Sequence, residues 1–181
     1  MLNLNDLGSR ICVFGPSNSG KSTLAEKLAT RLHLKGVHLD QIAHEPNTNW
    51  QRTNENDFVS KHDVIISEDN WVIEGNYKLC MPQRLARATS VIWLDMPLSG
   101  CLFRYFKRSF FNSSARIGGL EGATQEFSLF LVKYTLINYP QNRKKYKSLL
   151  SDKTFPILMI TSMHELNLYY RHWDLQPIKN G

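Results

Sequence analysis

The sequence predicts a single α/β domain: a parallel sheet covered on both faces by helices. Three observations lead there. Five short apolar runs alternate with stretches of helical periodicity, the pattern of strands joined by crossovers. The runs are apolar at consecutive positions, as strands buried on both faces are. The chain of 181 residues suffices for one sizeable core, so residues 1–181 are expected to form one domain.

The first run is Arg10-Ile11-Cys12-Val13-Phe14. After the loop that follows it, Thr23 to Leu32 has Leu24, Leu28 and Leu32 four apart, one face of a helix. A second strand ends at Gly36-Val37-His38-Leu39-Asp40. Residues 41–70 are polar, with weak helical signals from Glu55 to His62. The third strand is Asn70 to Glu74, stopped by Gly75, and the fourth is Ser90 to Asp95, stopped by Pro97. Trp71 and Trp93 lie in these strands and are expected in the core. Leu98–Phe111 reads as a helix, Asn112 to Thr124 as a flexible loop with Gly118, Gly119 and Gly122, and Thr124–Tyr139 as an apolar helix ended by Pro140. A last strand, Phe155–Ile160, precedes a helix from Met163 to His172.

Between the first strand and first helix stands Gly15-Pro16-Ser17-Asn18-Ser19-Gly20-Lys21-Ser22, followed by Thr23. Gly-x-x-x-x-Gly-Lys-Ser between a strand and a helix is a P-loop in its confirming context. Its glycines let successive backbone N–H groups face a phosphate, and the helix N-terminus adds partial positive charge. Lys21 is expected to reach the β/γ-phosphates and Ser22 to bind Mg²⁺. Residues 15–23 therefore predict binding of ATP or a related nucleoside triphosphate with Mg²⁺. The five strands and the P-loop together lead to the order 2-3-1-4-5, the sheet of nucleoside-monophosphate kinases.

Ligands of such sheets sit at the carboxyl ends of the strands, where Asp40, Glu74 and Asp95 fall. A carboxylate there can hold Mg²⁺, directly or through water, or orient an attacking hydroxyl. Glu74 is read as the Mg²⁺ carboxylate and Asp40 as an acceptor-side group; Asp40 and Asp95 could equally cap helices. Arginines stabilise a transferring phosphoryl group, and Arg104, Arg108 and Arg116 follow the fourth strand. Arg116, set among serines and glycines, belongs to a candidate lid over 112–124. Arg84 and Arg87 follow the third strand and could meet an anionic acceptor or form surface ion pairs. His38, His44 and His62 lack metal-site spacing and read as scattered polar positions.

Lys and Arg number 22 against 16 Asp and Glu, a net charge of +6. Residues 101–150 alone carry +7, and Arg143-Lys144-Lys145 with Lys147 reads first as a solvated helical face. There is no helix-turn-helix, zinc finger or base-stacking platform, so nucleic acid is a disfavoured partner. Three cysteines without Cys-x-x-Cys argue against a disulfide frame or zinc site. No run approaches the roughly 18 apolar residues of a membrane span, and Met1–Asp6 lacks the basic start of a signal peptide. The expected place is the cytoplasm.

With the P-loop, Glu74-Gly75-Asn76-Tyr77, Val91–Asp95 and the basic helix in order, the chain resembles the DNA topology modulation protein family, adenylate-kinase-like P-loop proteins. The resemblance runs from about Arg10 to His172. It aligns His38-Leu39-Asp40 with the family's His-Leu-Asp, Glu74-Gly75-Asn76-Tyr77 with its Asp-Gly-Asn-Tyr, Arg84-Leu85 with its Arg-Leu, and Arg104 and Arg108 with paired basic positions. It implies a phosphotransferase acting on a small acceptor, with Asp40, Asn76, Tyr77 and Arg84 on the acceptor side. The alternatives are an ATPase without such an acceptor and a nucleic-acid-binding regulator. The chain departs from the family in Glu74 for Asp, and in the lid, where Ser113-Ser114-Ala115-Arg116 keeps the arginine but lacks the family's lysine.

Overall fold

The computed structural model describes residues 1–111, 117–122 and 128–175. Five strands form one sheet: β1 (Arg10–Phe14), β2 (Lys35–His38), β3 (Trp71–Glu74), β4 (Ser90–Leu94) and β5 (Ile157–Ile160). They are ordered β2-β3-β1-β4-β5 and every pair is parallel, as expected. The helices are α1 (Lys21–Leu32), α2 (Leu39–Ala43), α3 (Glu55–Ser67), α4 (Met81–Arg87), α5 (Leu98–Phe111), α6 (Leu129–Lys133), α7 (Tyr139–Leu150) and α8 (Met163–His172).

Alternation along β1 makes two cores. Ile11 and Val13 face α1 and α8, packing with Leu24, Leu28, Leu94, Leu166 and Trp173. Cys12 and Phe14 face the opposite layer, packing with Phe58 of α3, Leu85 of α4 and Tyr146 of α7. The Phe14 ring lies 5.1 Å from Tyr146 and 5.8 Å from Trp93. Each such fully buried side chain contributes about 1.5–3 kcal/mol. Trp71 and Trp93 are buried as expected.

Three elements differ from the sequence reading. The strand expected to end at Asp40 stops at His38, and Leu39 opens α2. Helix α4 was not anticipated: seven residues with Pro82 in the first turn are too few to show a period. Pro140 does not end a helix. A π-helical turn, Tyr134–Asn138, leads into α7, whose first turn holds Pro140 where no intrahelical N–H partner is needed. Among the described residues no helix is long and apolar enough to cross a membrane.

Candidate functional site

The parallel sheet brings the carboxyl ends of β1, β2 and β3 together, and the site grows from there. Gly15 leaves β1 at φ 156°, and a Cβ there would lie 2.5 Å from the Leu94 carbonyl oxygen, so only glycine lets the loop turn over β4. The Asn76 amide grips this exit from both sides. Its Oδ1 accepts from Gly15 N at 3.1 Å and its Nδ2 donates to Gly15 O at 2.6 Å. Asn76, expected on the acceptor side, lines the cavity, and its amide holds the P-loop to the end of β3.

Lys21 and Ser22 open α1 and are both buried. Ser22 Oγ donates to Glu74 Oε1 at 3.0 Å, and Lys21 Nζ stands 3.9 Å from Glu74 Oε2. Glu74 is 1% exposed. The Ser22 hydroxyl and Glu74 carboxylate are hard oxygen donors side by side at the loop of residues 15–22. That set fits Mg²⁺, which takes one or two protein oxygens and completes its shell with water and phosphate. Among the described residues no group of three or more His, Cys, Asp or Glu could hold a metal.

His38 is the residue that sequence reasoning passed over. It is the register partner of Glu74 across the β2–β3 pair, buried, with Nδ1 3.1 Å from Glu74 Oε1 and Nε2 3.3 Å from Glu26 Oε2. Burial alone would lower its pKa, but the carboxylates on its two nitrogens outweigh that and raise it above the ordinary histidine value. The available signal was positional: a histidine and a glutamate closing neighbouring parallel strands.

One cavity of about 1450 Å³ runs from Ser17, Asn18 and Lys21 across Asp40 and Tyr77 to α3 and the α6–α7 region. Asp40 lies on α2 and Tyr77 just after β3; the Tyr77 hydroxyl donates to Asp40 Oδ1 at 2.7 Å. Burial, then the Asp40 charge, push the Tyr77 pKa far up, so it stays a neutral donor. Residues 41–70 contribute His44, Trp50, Arg52, Glu55 and Phe58 to the wall.

Of the arginines, Arg104 donates from Nε to Asn18 O at 2.8 Å, tying α5 to the P-loop, and Arg108 lines the cavity. Arg116 and the lid segments 112–116 and 123–124 lie outside the described residues. The described part of the expected lid, 117–122, lies against residues 41–47: Gln41 Nε2 donates to Gly119 O at 3.2 Å, and Asn47 N to Glu121 O at 2.8 Å. Gly118, at φ 68°, sits on the His38 ring so closely that a Cβ would fall 2.4 Å from Nδ1.

Several expected residues do not line the cavity, among them Arg84, Arg87 and Asp95. Arg84 is 1% exposed, donating to Gly75 O at 3.1 Å; α4 turns it inward beneath β3, where it braces the chain. Arg87 donates to Asp69 Oδ1 at 3.0 Å. Asp95, at the end of β4, accepts from Arg143 Nε at 2.8 Å and from the Tyr139 hydroxyl at 3.5 Å, which ties α7 to the sheet. Pro16 and Ser19 are buried within the P-loop, and Thr23 faces a second hollow beside α8.

No family model and no curated protein matches the chain. Among solved structures it is similar to an uncharacterized protein from Eubacterium ventriosum, at 14% identity and a TM-score of 0.45, over 92% of this chain and 98% of that one. The likeness is too loose to carry a functional argument.

Proposed function

We propose that this protein is a phosphotransferase that moves the γ-phosphoryl group of Mg-ATP to a small acceptor held in the same cavity. The carrying observation is the continuity of that cavity, with Lys21 and the P-loop at one end and Asp40 and Tyr77 facing the same space. A plain ATPase needs room for water beside the γ-phosphate; this cavity extends well past the P-loop along a wall of specific side chains.

Backbone N–H groups of residues 15–23 and the N-terminus of α1 bind the phosphates. Lys21 neutralises charge on the transferring group, and Ser22 with Glu74 would hold Mg²⁺. Bound there, the ion would supply charge neutralisation across the β- and γ-phosphates. Arg104 stiffens the P-loop at Asn18, and Arg108, one helical turn on, faces the transferring group. Arg116 remains a candidate for the same charge. Asp40 orients the acceptor hydroxyl, itself oriented by Tyr77.

The test is ADP production from Mg-ATP in the presence and absence of candidate acceptors. Stimulation at least about ten-fold over basal turnover, the equivalent of 1.4 kcal/mol in the barrier, is the expected result. No stimulation by nucleosides, nucleotides, sugars or small acids would leave only the ATPase reading.

A further inference from the structure

Resting on that reading, we infer that the acceptor is a neutral or cationic alcohol bearing a flat ring, and not a phosphomonoester. Two independent observations support this, one electrostatic and one steric.

The charged groups lining the cavity divide between its ends. Lys21 belongs to the P-loop, and Arg108 stands one turn along α5 from Arg104, which bonds Asn18; the phosphotransferase reading assigns both to the triphosphate. The other charged liners among the described residues are Asp40, Glu55 and Glu121 against Arg52 and Lys78, a balance of −1. Arg84, the guanidinium that the sequence offered for an anionic acceptor, is buried beneath the sheet and absent from the lining. A dianionic phosphate entering here meets a balance of −1 from groups of which Arg52, Glu55, Lys78 and Glu121 are exposed, so the repulsion is a solvent-screened one. A neutral or cationic acceptor meets none.

The wall is also built of rings. Phe58 and Tyr77 lie 5.0 Å apart, and His44 meets Trp50 edge-on at 5.3 Å. Tyr134, from the π-helical turn, lines the same space, close enough to Asp40 and Arg52 to feel their charges. Aromatic faces beside the Asp40 carboxylate and the Arg52 guanidinium suit a planar, hydrogen-bonding ring better than a flexible polyol.

In the transfer step, the acceptor oxygen forms a bond to the γ-phosphorus. The bond from that phosphorus to the bridging oxygen breaks, and its electron pair leaves on ADP. The hydroxyl proton passes to the Asp40 carboxylate and then to solvent.

The experiment uses matched pairs: adenosine and AMP, thymidine and TMP, pyridoxine and pyridoxine 5′-phosphate. Calorimetry against the protein saturated with Mg²⁺ and a non-hydrolysable ATP analogue reads acceptor binding apart from turnover. The inference expects the alcohol of at least one pair to bind about ten-fold or more tightly than its phosphate ester, a 1.4 kcal/mol preference. It also expects Glu55→Lys, a change at an exposed position, to shrink that preference several-fold by reversing the local balance. Equal or tighter binding of the phosphate esters would overturn the inference while leaving the phosphotransferase reading intact. So would a failure of every ring-bearing alcohol to bind while a ring-free polyol such as gluconate stimulates ADP formation. Retained preference in a folded Glu55→Lys variant would refute the electrostatic argument.

Discussion

Replacing Glu74 by Gln isolates the electrostatic centre of the site. Glu74 is 1% exposed and surrounded by Ser22 Oγ at 3.0 Å, His38 Nδ1 at 3.1 Å and Lys21 Nζ at 3.9 Å. Glutamine keeps the shape and an oxygen for Ser22, but removes the charge that offsets Lys21, itself 7% exposed. Removing one partner of a buried ion pair costs about 3–5 kcal/mol. The 3.9 Å separation is long and the Ser22 bond survives, which puts the loss at the lower end, about 3 kcal/mol. For a chain of this size each kcal/mol moves the melting temperature by roughly 2–4 °C, so the midpoint should fall by roughly 6–12 °C. A polyphosphate supplies Lys21 with a new counter-charge, so ATP without Mg²⁺ should restore more stability to the variant than to the parent. Calorimetric melting with and without ATP measures both. A midpoint within about 2 °C of the parent, or equal ATP stabilisation of the two proteins, would refute this account of the Lys21–Glu74 pair.

Lys21→Ala removes the point charge facing the β/γ-phosphates; isothermal calorimetry should show most Mg-ATP affinity lost, and unchanged affinity would remove the nucleotide reading. Gly118→Ala forces a Cβ into the His38 ring at an unfavourable φ; a loss of about 1–3 kcal/mol in urea unfolding, with faster amide exchange across 117–122, is expected. His62 is fully buried on α3, and burial, aided by nearby Arg84 and only partly opposed by Asp63, lowers its pKa. The unfolded chain therefore takes up this proton first. Stability should fall as pH drops from the ordinary histidine value, about 6.5, to the lower folded one, and His62→Leu should flatten that part of the urea-unfolding profile. The basic face of 101–150 should give only non-specific DNA binding; in an anisotropy titration, sub-micromolar affinity at about 0.2 M salt would contradict this.

The sheet was legible because each strand is a short apolar run and the P-loop fixes which one is central. The tight turn after β1 was legible from the glycine spacing, since Gly15 has no room for a side chain against Leu94. What escaped depends on pairing across the chain. His38 becomes significant only when β2 lies beside β3 and sets it against Glu74. Arg84 looked like an acceptor contact because no local signal shows that the short helix α4 turns it inward. Pro140 read as a stop because a π-helical turn has no sequence period distinct from an ordinary helix. The gripping of Gly15 by Asn76 joins residues 61 positions apart, beyond any local pattern.

The central claim is that the γ-phosphoryl group travels from the P-loop to an acceptor in one cavity, and ³¹P NMR of the reacting mixture tests it most directly. With Mg-ATP and the best acceptor from the matched pairs, the account predicts a new phosphomonoester resonance growing in step with ADP, and its loss in Asp40→Asn. Inorganic phosphate as the sole product, at a rate indifferent to acceptor, would contradict it.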